Sequence, residues 1–519
     1  MNPFADGWPC PTGDEMRAID ADAIERLGIP ARTLMESAGR AVAEAVARFY
    51  PLHRRVLVVC GSGNNGGDGY VVARALAEQH RGVSARVLEA VPVARQSPES
   101  KANRELLGAA GVALVAGGPA ALGAALAESD LVVDAVFGVG LARPVAGELA
   151  GLFEAISHGG LPIVSVDLAS GTSSETGVAL GAALEPDLVV TIGLPKLGLA
   201  LVPGRARVVV ADIGFPRESV ERAGVRQYLL TRAAARGLLP ARPLDAHKGS
   251  FGHVLVAGGS LGKTGAALLA ARGALRAGAG LVSLAAPRAL VPIYAAQLAE
   301  VMCVLVDDGE AGLAALVGEA NARDALVVGP GLGQEPGAAR LARALATQIR
   351  VASVVDADGL NAFAGDLAGL RSAAPRVLTP HPGEAARLLG RDTAAVQADR
   401  AGAARELAAR SGAVAVLKGA RTVVARPDGR ISINPTGGPG LAAGGSGDVL
   451  AGLVGALLAR GLAAWDAARL GVWLHGAAGD LGPTQGGLAS ELADRLPAAW
   501  QALSHEDPRD EPGILHAFP

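Results

Sequence analysis

Residues 55–79 read RVLVVCGSGNNGGDGYVVARALAEQ, an apolar run, a glycine-crowded loop and an amphipathic stretch in immediate succession. The run ending at Cys60 reads as a strand and YVVARALAEQ as a helix. Between them, the loop Gly61–Gly69 lets backbone approach a ligand without Cβ clashes. Its N–H groups and the positive end of the following helix converge on one place, which suits an anion such as a phosphate. Strand, loop and helix in this order form the unit from which open parallel sheets are wound.

The pattern extends in both directions. Upstream, Met16, Ile19, Ala23 and Leu27, then Leu34, Ala38, Val42 and Val46, recur at helical spacing and predict two opening helices. Downstream, apolar runs at 85–88, 131–136, 163–166, 188–192 and 208–210 alternate with helix-length stretches. An α/β fold follows, with helices on both faces of a mostly parallel sheet and ligands beyond the carboxyl ends of its strands. A proline-containing polar stretch predicts a linker at 226–246, and a second α/β series begins at HVLVAGGS. The expected organisation is a first domain over 1–225, the linker, a second domain over 247–505 and a polar tail over 506–519.

Composition narrows the function classes. The chain of 519 residues is too long for one core. Only 3% of residues are aromatic and the formal charge is −3, so neither a stacking platform nor a basic footprint for nucleic acid is present. No run reaches the length of a membrane span, and the first twenty residues lack the charge and apolar block of a signal peptide. Three widely spaced cysteines, Cys10, Cys60 and Cys303, support neither a disulfide framework nor a zinc cluster. The expectation is a cytoplasmic protein acting on a small molecule, with Ala-rich helices compatible with a homo-oligomer.

Candidate site residues fall in the strand-end loops. Gly61, Gly63 and Gly66 give the spacing GxGxxG, which alone is equally a tight turn. Asn64, Asn65 and Asp68 add amide and carboxylate groups there. DAVFGVG (134–140) and VDLASG (166–171) end predicted strands at the same sheet edge. Asn65, Asp134 and Ser170 together offer oxygen ligands to a hard cation; the plainer reading has Asp134 and Asp167 capping helices. In the second domain GGSGDVLAG (444–452) opens a helix with Val449, Leu450, Leu453, Val454, Leu457 and Leu458 on one face. Asp448 beside the Gly445–Gly447 amides suits phosphoryl transfer, with the carboxylate taking the proton of an attacking hydroxyl, although it is also placed as an ordinary N-cap. AGGSLGKT (257–264) matches a relaxed P-loop but is set aside, because the SGD loop already accounts for phosphate chemistry. His381 in TPHPGE is either structural or functional, and LKGART (417–422) either contacts a nucleotide or forms an exposed turn.

Taken together these motifs resemble the bifunctional NAD(P)H-hydrate repair family. LMESAGRA, GSGNNGGDG, DAVFGVG and VDLASG resemble its epimerase part; HKGSFG, GPGLG, DADGLN, TPHPGE, LKGART and GGSGDVLAG resemble its ADP-dependent dehydratase part. The resemblance covers roughly 14–505 and implies a Rossmann-like α/β/α sandwich followed by a ribokinase-like α/β/α domain. It further implies that Asn64, Asn65, Gly66, Gly67 and Asp68 bind the hydrated nucleotide. Gly138, Val139, Gly140, Leu141, Ala142, Arg143 and Pro144 are implied to do so too, together with Asp167, which would also be catalytic. Asn65, Asp134 and Ser170 would hold K⁺. In the second domain it implies Ala266, Gly333, His381 and Asp448 at the hydrate, with Asp448 as base. Lys418, Gly419, Ala420, Arg421, Thr422 and Gly447 would lie at ADP, with Mg²⁺ on its phosphates. Two rival readings are a small-molecule kinase, whose phosphorylated product would persist, and a first domain serving only as a binding module.

Overall fold

The computed structural model describes residues 6–79, 82–91, 96–116, 118–307, 309–505 and 515–517. The chain divides into two compact units, built mainly on Trp8–Gln227 and on Tyr228–Asp510. In the first, helices α1 (Gly13–Ala21) and α2 (Ala31–Phe49) lead into strand β1 (Arg55–Cys60), helix α3 (Asn64–Gln79) and strands β2 (Ser84–Glu89), β3 (Leu131–Ala135), β4 (Ile163–Val166), β5 (Leu188–Ile192) and β6 (Arg207–Ala211). The sheet order is Leu515–Ala517, β6, β5, β4, β3, β1, β2, Ala113–Leu114. Every neighbour is parallel except Leu515–Ala517, which runs antiparallel to β6.

Residues 56–60 are uniformly apolar because both faces of β1 are covered: Val56, Val58 and Cys60 enter one core, Leu57 and Val59 the other. Val59 lies opposite Asp134 and Cys60 opposite Ala135. The chain leaves β1 toward β2 on one side and β3 on the other, so the order reverses at the β1/β3 carboxyl ends. A doubly wound sheet opens its ligand crevice at such a point.

Three expectations need correction. The first helical face stops at Ala23: α1 passes into a π-turn over Asp22–Arg26, and Leu27 is 37% exposed where Gly28, at φ +73°, ends the helix. The expected linker holds a strand, Gln227–Leu229, and a helix, Arg232–Arg236, capped by Thr231. Of the expected tail, 506–514 and 518–519 lie outside the described residues, whereas Leu515–Ala517 is the edge strand on β6.

The second unit orders strands β7 (His253–Ala257), β8 (Leu281–Pro287), β9 (Met302–Val306), β10 (Ala325–Val328), β11 (Ala352–Val355), β12 (Arg376–Leu378), β13 (Val414–Leu417), β14 (Val423–Ala425) and β15 (Ile431–Ile433) as 9-8-7-10-11-12-13-14-15. Pairing is parallel from β9 to β13 and antiparallel from there to β15. Helices α4 (Thr264–Arg276), α5 (Pro382–Leu389), α6 (Ser446–Ala459), α7 (Ala464–Asp480) and α8 (Ala489–Ser504) complete the described frame used below. The α/β architecture expected for both halves is borne out.

Helix α6 is not one-sided as its spacing predicts. Every residue from Val449 to Leu458 is buried, because α6 packs at once on α4, α7, α8 and the sheet. Glycines on both helices make this possible: a Cβ on Gly452 of α6 would stand 1.8 Å from the Ala270 carbonyl oxygen, and one on Gly273 of α4 would stand 2.4 Å from that of Val449.

Candidate functional site

At the switch point of the first sheet a cavity of about 490 Å³ is lined by the β1/α3 loop, the segment after β3 and residues from α1 and α2. Asn64, Asn65 and Asp68 line it, as do Gly138, Val139, Gly140 and Leu141. Gly66 and Gly67 serve packing instead, since Cβ atoms there would meet the Gly61 carbonyl oxygen and Met35. Ala142, Arg143 and Pro144 are exposed and outside the lining.

Asp134 and Ser170 meet, and none of the described donors to Asp134 or Asp167 is an N–H of a helix's first turn, so neither carboxylate acts as a helix cap. Ser170 Oγ lies 2.6 Å from Asp134 Oδ1 and accepts the Phe137 N–H at 2.8 Å. The Ser170 N–H and Ser165 hydroxyl donate to Oδ2 at 2.9 and 2.8 Å. Asp134 is fully buried, and burial pushes its carboxyl above the usual range despite these donors. Among the described residues no Lys, Arg or His pairs with it. Asn65 is buried with its Nδ2 unpartnered, while its Oδ1 faces the Gly138 Cα, as does Asp167 Oδ2.

Asp167 is held where ordinary backbone resists. Its φ is +69° and the Leu168 N–H donates to the Val166 carbonyl across it, a tight turn that costs a non-glycine residue about 1–3 kcal/mol. The side chain compensates, since Oδ1 accepts from the Ile192 N–H at 3.1 Å and is ion-paired with Lys196. Lys196 is 1% exposed and also donates to the Ile192 carbonyl at 2.7 Å. Asp20, Asp68 and Glu99 add three further carboxyls to the cavity lining. Burial, then Asp167 and Asp20, push Asp68 well above its usual range; burial, against the pull of Lys196, pushes Asp20 up to about 6.

In the second unit Gly258, Gly329, Asp356, Thr379 and Lys418 each follow a parallel strand directly, so their loops gather at the carboxyl edge. Ser260 Oγ donates to the Gly331 carbonyl at 2.9 Å, and Ala266, in the first turn of α4, abuts Gly331. Gly333 donates its N–H to Asp358 Oδ2 at 2.8 Å. His381 Nδ1 accepts the Gly383 and Glu384 N–H groups, capping α5, and burial with Lys418 and Arg387 nearby lowers its pKa. It therefore has a structural role through Nδ1 and leaves Nε2 for other contacts, 3.4 Å from Glu384 Oε1.

Lys418 Nζ sits 2.9 Å from Asp356 Oδ1 and 3.9 Å from Glu384 Oε2. Burial works against its charge, but Asp356 and Glu384 outweigh that and raise its pKa. A Cβ on Gly447 would be 3.1 Å from this nitrogen, so the lysine lies against the start of α6. Asp448 is half-buried there, and burial, then Asp356, push its carboxyl up to about 7 against the pull of Lys418. The first described intrahelical acceptor serves Val449, which leaves the Gly447 and Asp448 N–H groups directed out of the helix end. His475, buried and lowered to about 4 by desolvation, braces the loop through Nε2, 2.8 Å from the Ser446 carbonyl. After Lys418, the segment Gly419–Thr422 is tied by Arg400 to the Ala420 carbonyl and by the Thr422 hydroxyl to Gly419, with Arg421 at φ +55°.

Residues 254–501 match the NAD(P)H-hydrate dehydratase family, and residues 31–198 match the family described as YjeF-related protein N-terminus. A bifunctional NAD(P)H-hydrate repair enzyme of Moorella thermoacetica is 42% identical over 516 residues, covering 95% of this chain and 97% of that one. The chain belongs to the bifunctional NAD(P)H-hydrate repair family. The Escherichia coli member of this repair family is 36% identical over 506 residues, with 96% and 94% covered. Among solved structures, an ADP/ATP-dependent NAD(P)H-hydrate dehydratase from Bacillus subtilis, co-crystallised with ATP/Mg²⁺, is 34% identical, covering 53% of this chain and 98% of its own, at TM-score 0.48.

Sequence reading missed Lys196 and Asp20, and it gave no individual role to Asp356, Asp358 and Glu384 although they lie in the motifs DADGLN and TPHPGE. Lys196 follows the carboxyl end of β5 and Asp356 that of β11, so position at the sheet edge was the available signal. Asp20 carries no such signal, because its helix precedes the first strand of the sheet.

Proposed function

We propose that the first unit interconverts the R and S hydrates of NADH and NADPH and that the second dehydrates the S form, spending ADP and releasing AMP and phosphate. The protein is then an isomerase and a lyase in one chain. The observation that carries the second activity is Asp448 at the N-terminal turn of α6, a carboxyl raised to about 7, beside the Gly447 N–H and the Lys418 ammonium. A base poised near neutrality removes the proton from the C6 hydroxyl as its oxygen attacks the β-phosphorus of ADP, and AMP leaves. The Gly447 amide and Lys418 stabilise charge on the phosphoryl group in transit. Phosphate, unlike hydroxide, is a good leaving group: the ring nitrogen expels it, and loss of the C5 proton restores the double bond.

Under this reading Ala266, Gly333 and His381 border the hydrate, and Lys418–Thr422 with Gly447 border the adenine nucleotide. Among the described residues no cluster of three or more His, Cys, Asp or Glu forms a metal cage, which suits Mg²⁺ carried on the phosphates of ADP. In the first unit Asn64, Asn65, Asp68, Gly138–Leu141 and Asp167 bind the hydrate, with Gly66 and Gly67 shaping the loop and Ala142–Pro144 at its rim. Asp134, buried with no described cationic partner, together with the Ser170 hydroxyl and Asn65 amide oxygen, fits K⁺, whose charge would compensate the carboxylate. No described helix is long and apolar enough to cross a membrane. A cytoplasmic setting accords with three free cysteines, and self-association as a homo-oligomer is part of the reading.

Product analysis tests it. Purified protein given the S hydrate, Mg²⁺ and ADP should release reduced cofactor and inorganic phosphate in equal amounts. A stable phosphorylated product without reduced cofactor would replace the dehydratase with a kinase.

A further inference from the structure

The first cavity is lined by four carboxyl groups, Asp20, Asp68, Glu99 and Asp167, one ammonium, Lys196, and one guanidinium, Arg17. Lys196 is committed to Asp167 and to the Ile192 carbonyl. Among the described residues none donates a hydrogen bond to the carboxyl of Asp20 or Asp68. Arg17, one turn before Asp20 on α1, is paired with Asp14 instead. The cavity thus contains one carboxylate with a fixed counter-ion, Asp167, and further carboxyls, Asp20 and Asp68 among them, with no such partner among the described residues. This arrangement separates a base from an acid.

We propose that Asp20 is the proton donor of the epimerisation, acting opposite Asp167 as base. The role rests on the epimerase reading. The C6 carbon of the hydrate carries both its hydroxyl and the ring nitrogen, so its configuration is lost when the C6–N1 bond opens. Asp167 takes the proton of the C6 hydroxyl, the C6=O bond forms, and the C6–N1 electron pair goes to N1, which receives the proton of Asp20. Rotation about C5–C6 presents the other carbonyl face. Closure reverses each transfer, returning the proton from N1 to Asp20 and that of Asp167 to oxygen, so no co-reactant is consumed.

Asp20 suits this role better than Asp68. Burial and two neighbouring carboxyls hold Asp68 well above the usual range, which makes it a poor donor, whereas Asp20 at about 6 gives up and regains a proton near neutrality. The charged groups facing Asp20 are Arg17 on its own helix, Asp68 from α3, Glu99 from the helix Pro98–Glu105, Asp167 after β4 and Lys196 after β5. Thr12 caps α1 through a capping box with Glu15, which fixes the helix that presents Asp20.

The test uses the full chain with the R hydrate of NADH and no nucleotide, so that only epimer exchange is observed, by chromatographic separation of R and S. The wild type should lose rate as pH rises through the ionisation of the donor. Asp20→Asn should lower kcat by about a hundredfold or more, with KM within about threefold and that pH limb gone, and Asp20→Glu should restore measurable exchange. Asp20→Asn exchanging within about threefold of wild type with an unchanged pH profile overturns the role. So does an Asp20→Glu protein as inactive as Asp20→Asn, or a loss that appears in KM alone. A wild type that exchanges nothing sinks the epimerase reading itself, a result distinct from an active wild type indifferent to Asp20.

Discussion

Ser170 binds Asp134 twice, through its hydroxyl at 2.6 Å on Oδ1 and its backbone N–H at 2.9 Å on Oδ2. The pair ties the turn after β4 to the end of β3, directly behind the loop that carries Phe137 and Gly138. If these oxygens hold K⁺, epimer exchange at constant ionic strength is faster in KCl than in LiCl, and Ser170→Ala abolishes the difference. Exchange rates in the two salts check this, and equal wild-type rates would remove K⁺ from the account.

Lys418 and Asp356 form an ion pair at 2.9 Å beside Asp448 in the second unit. Lys418→Met leaves a buried carboxyl without its partner, a change that costs about 3–5 kcal/mol in such settings. Lys418 also restrains the upward shift of Asp448. The acid limb of kcat/KM, expected near the Asp448 value of about 7, therefore moves to higher pH in Lys418→Met. A pH profile of dehydration measures it, and an unmoved limb would separate Asp448 from this lysine.

Much of this was legible in the chain. RVLVVCGSGNNGGDG announces a parallel strand and its loop because both faces of β1 are buried and Gly61 must pass the Val136 carbonyl at 2.1 Å from any added Cβ. The SGD loop was legible for a similar reason. What was not legible depends on tertiary proximity: Asp20 and Lys196 meet Asp167 only because α1 and the turn after β5 close over the switch point. The all-round burial of α6 was likewise hidden, since the spacing of its apolar residues marks a single face, while the close approach of α4 at Gly452 depends on tertiary packing.

That close approach gives a packing prediction. Gly452→Ala forces a methyl into the Ala270 carbonyl, and overpacking of this kind costs about 1–3 kcal/mol. Because α6 carries Asp448, dehydration should fall and the thermal transition of the second unit should drop, while epimer exchange continues. Calorimetry with both assays checks this.

His475 links pH to stability. Its folded pKa is depressed to about 4 by burial, below the unfolded value of about 6.5. Between these values the unfolded chain binds more protons, so this residue's contribution is present above about 6.5 and is lost as pH falls toward 4, on the order of 3 kcal/mol in full. Denaturant unfolding at pH 7 and 5 should show wild type losing more stability across that interval than His475→Gln. An equal loss would mean that His475 is protonated without opening the structure.

The most direct measurement feeds an equal mixture of R and S hydrates of NADH, with Mg²⁺ and ADP, to the wild type, Asp167→Asn and Asp448→Asn, and follows the absorbance of the reduced ring together with epimer ratio. Two separate sites predict that wild type converts the whole mixture faster than the epimers exchange unaided. Asp167→Asn should consume the S half rapidly and then slow to the spontaneous rate. Asp448→Asn should regenerate no cofactor yet still interconvert the epimers. An Asp448→Asn protein that regenerates cofactor at the wild-type rate, or an Asp167→Asn protein that draws down R as fast as wild type, would contradict the account.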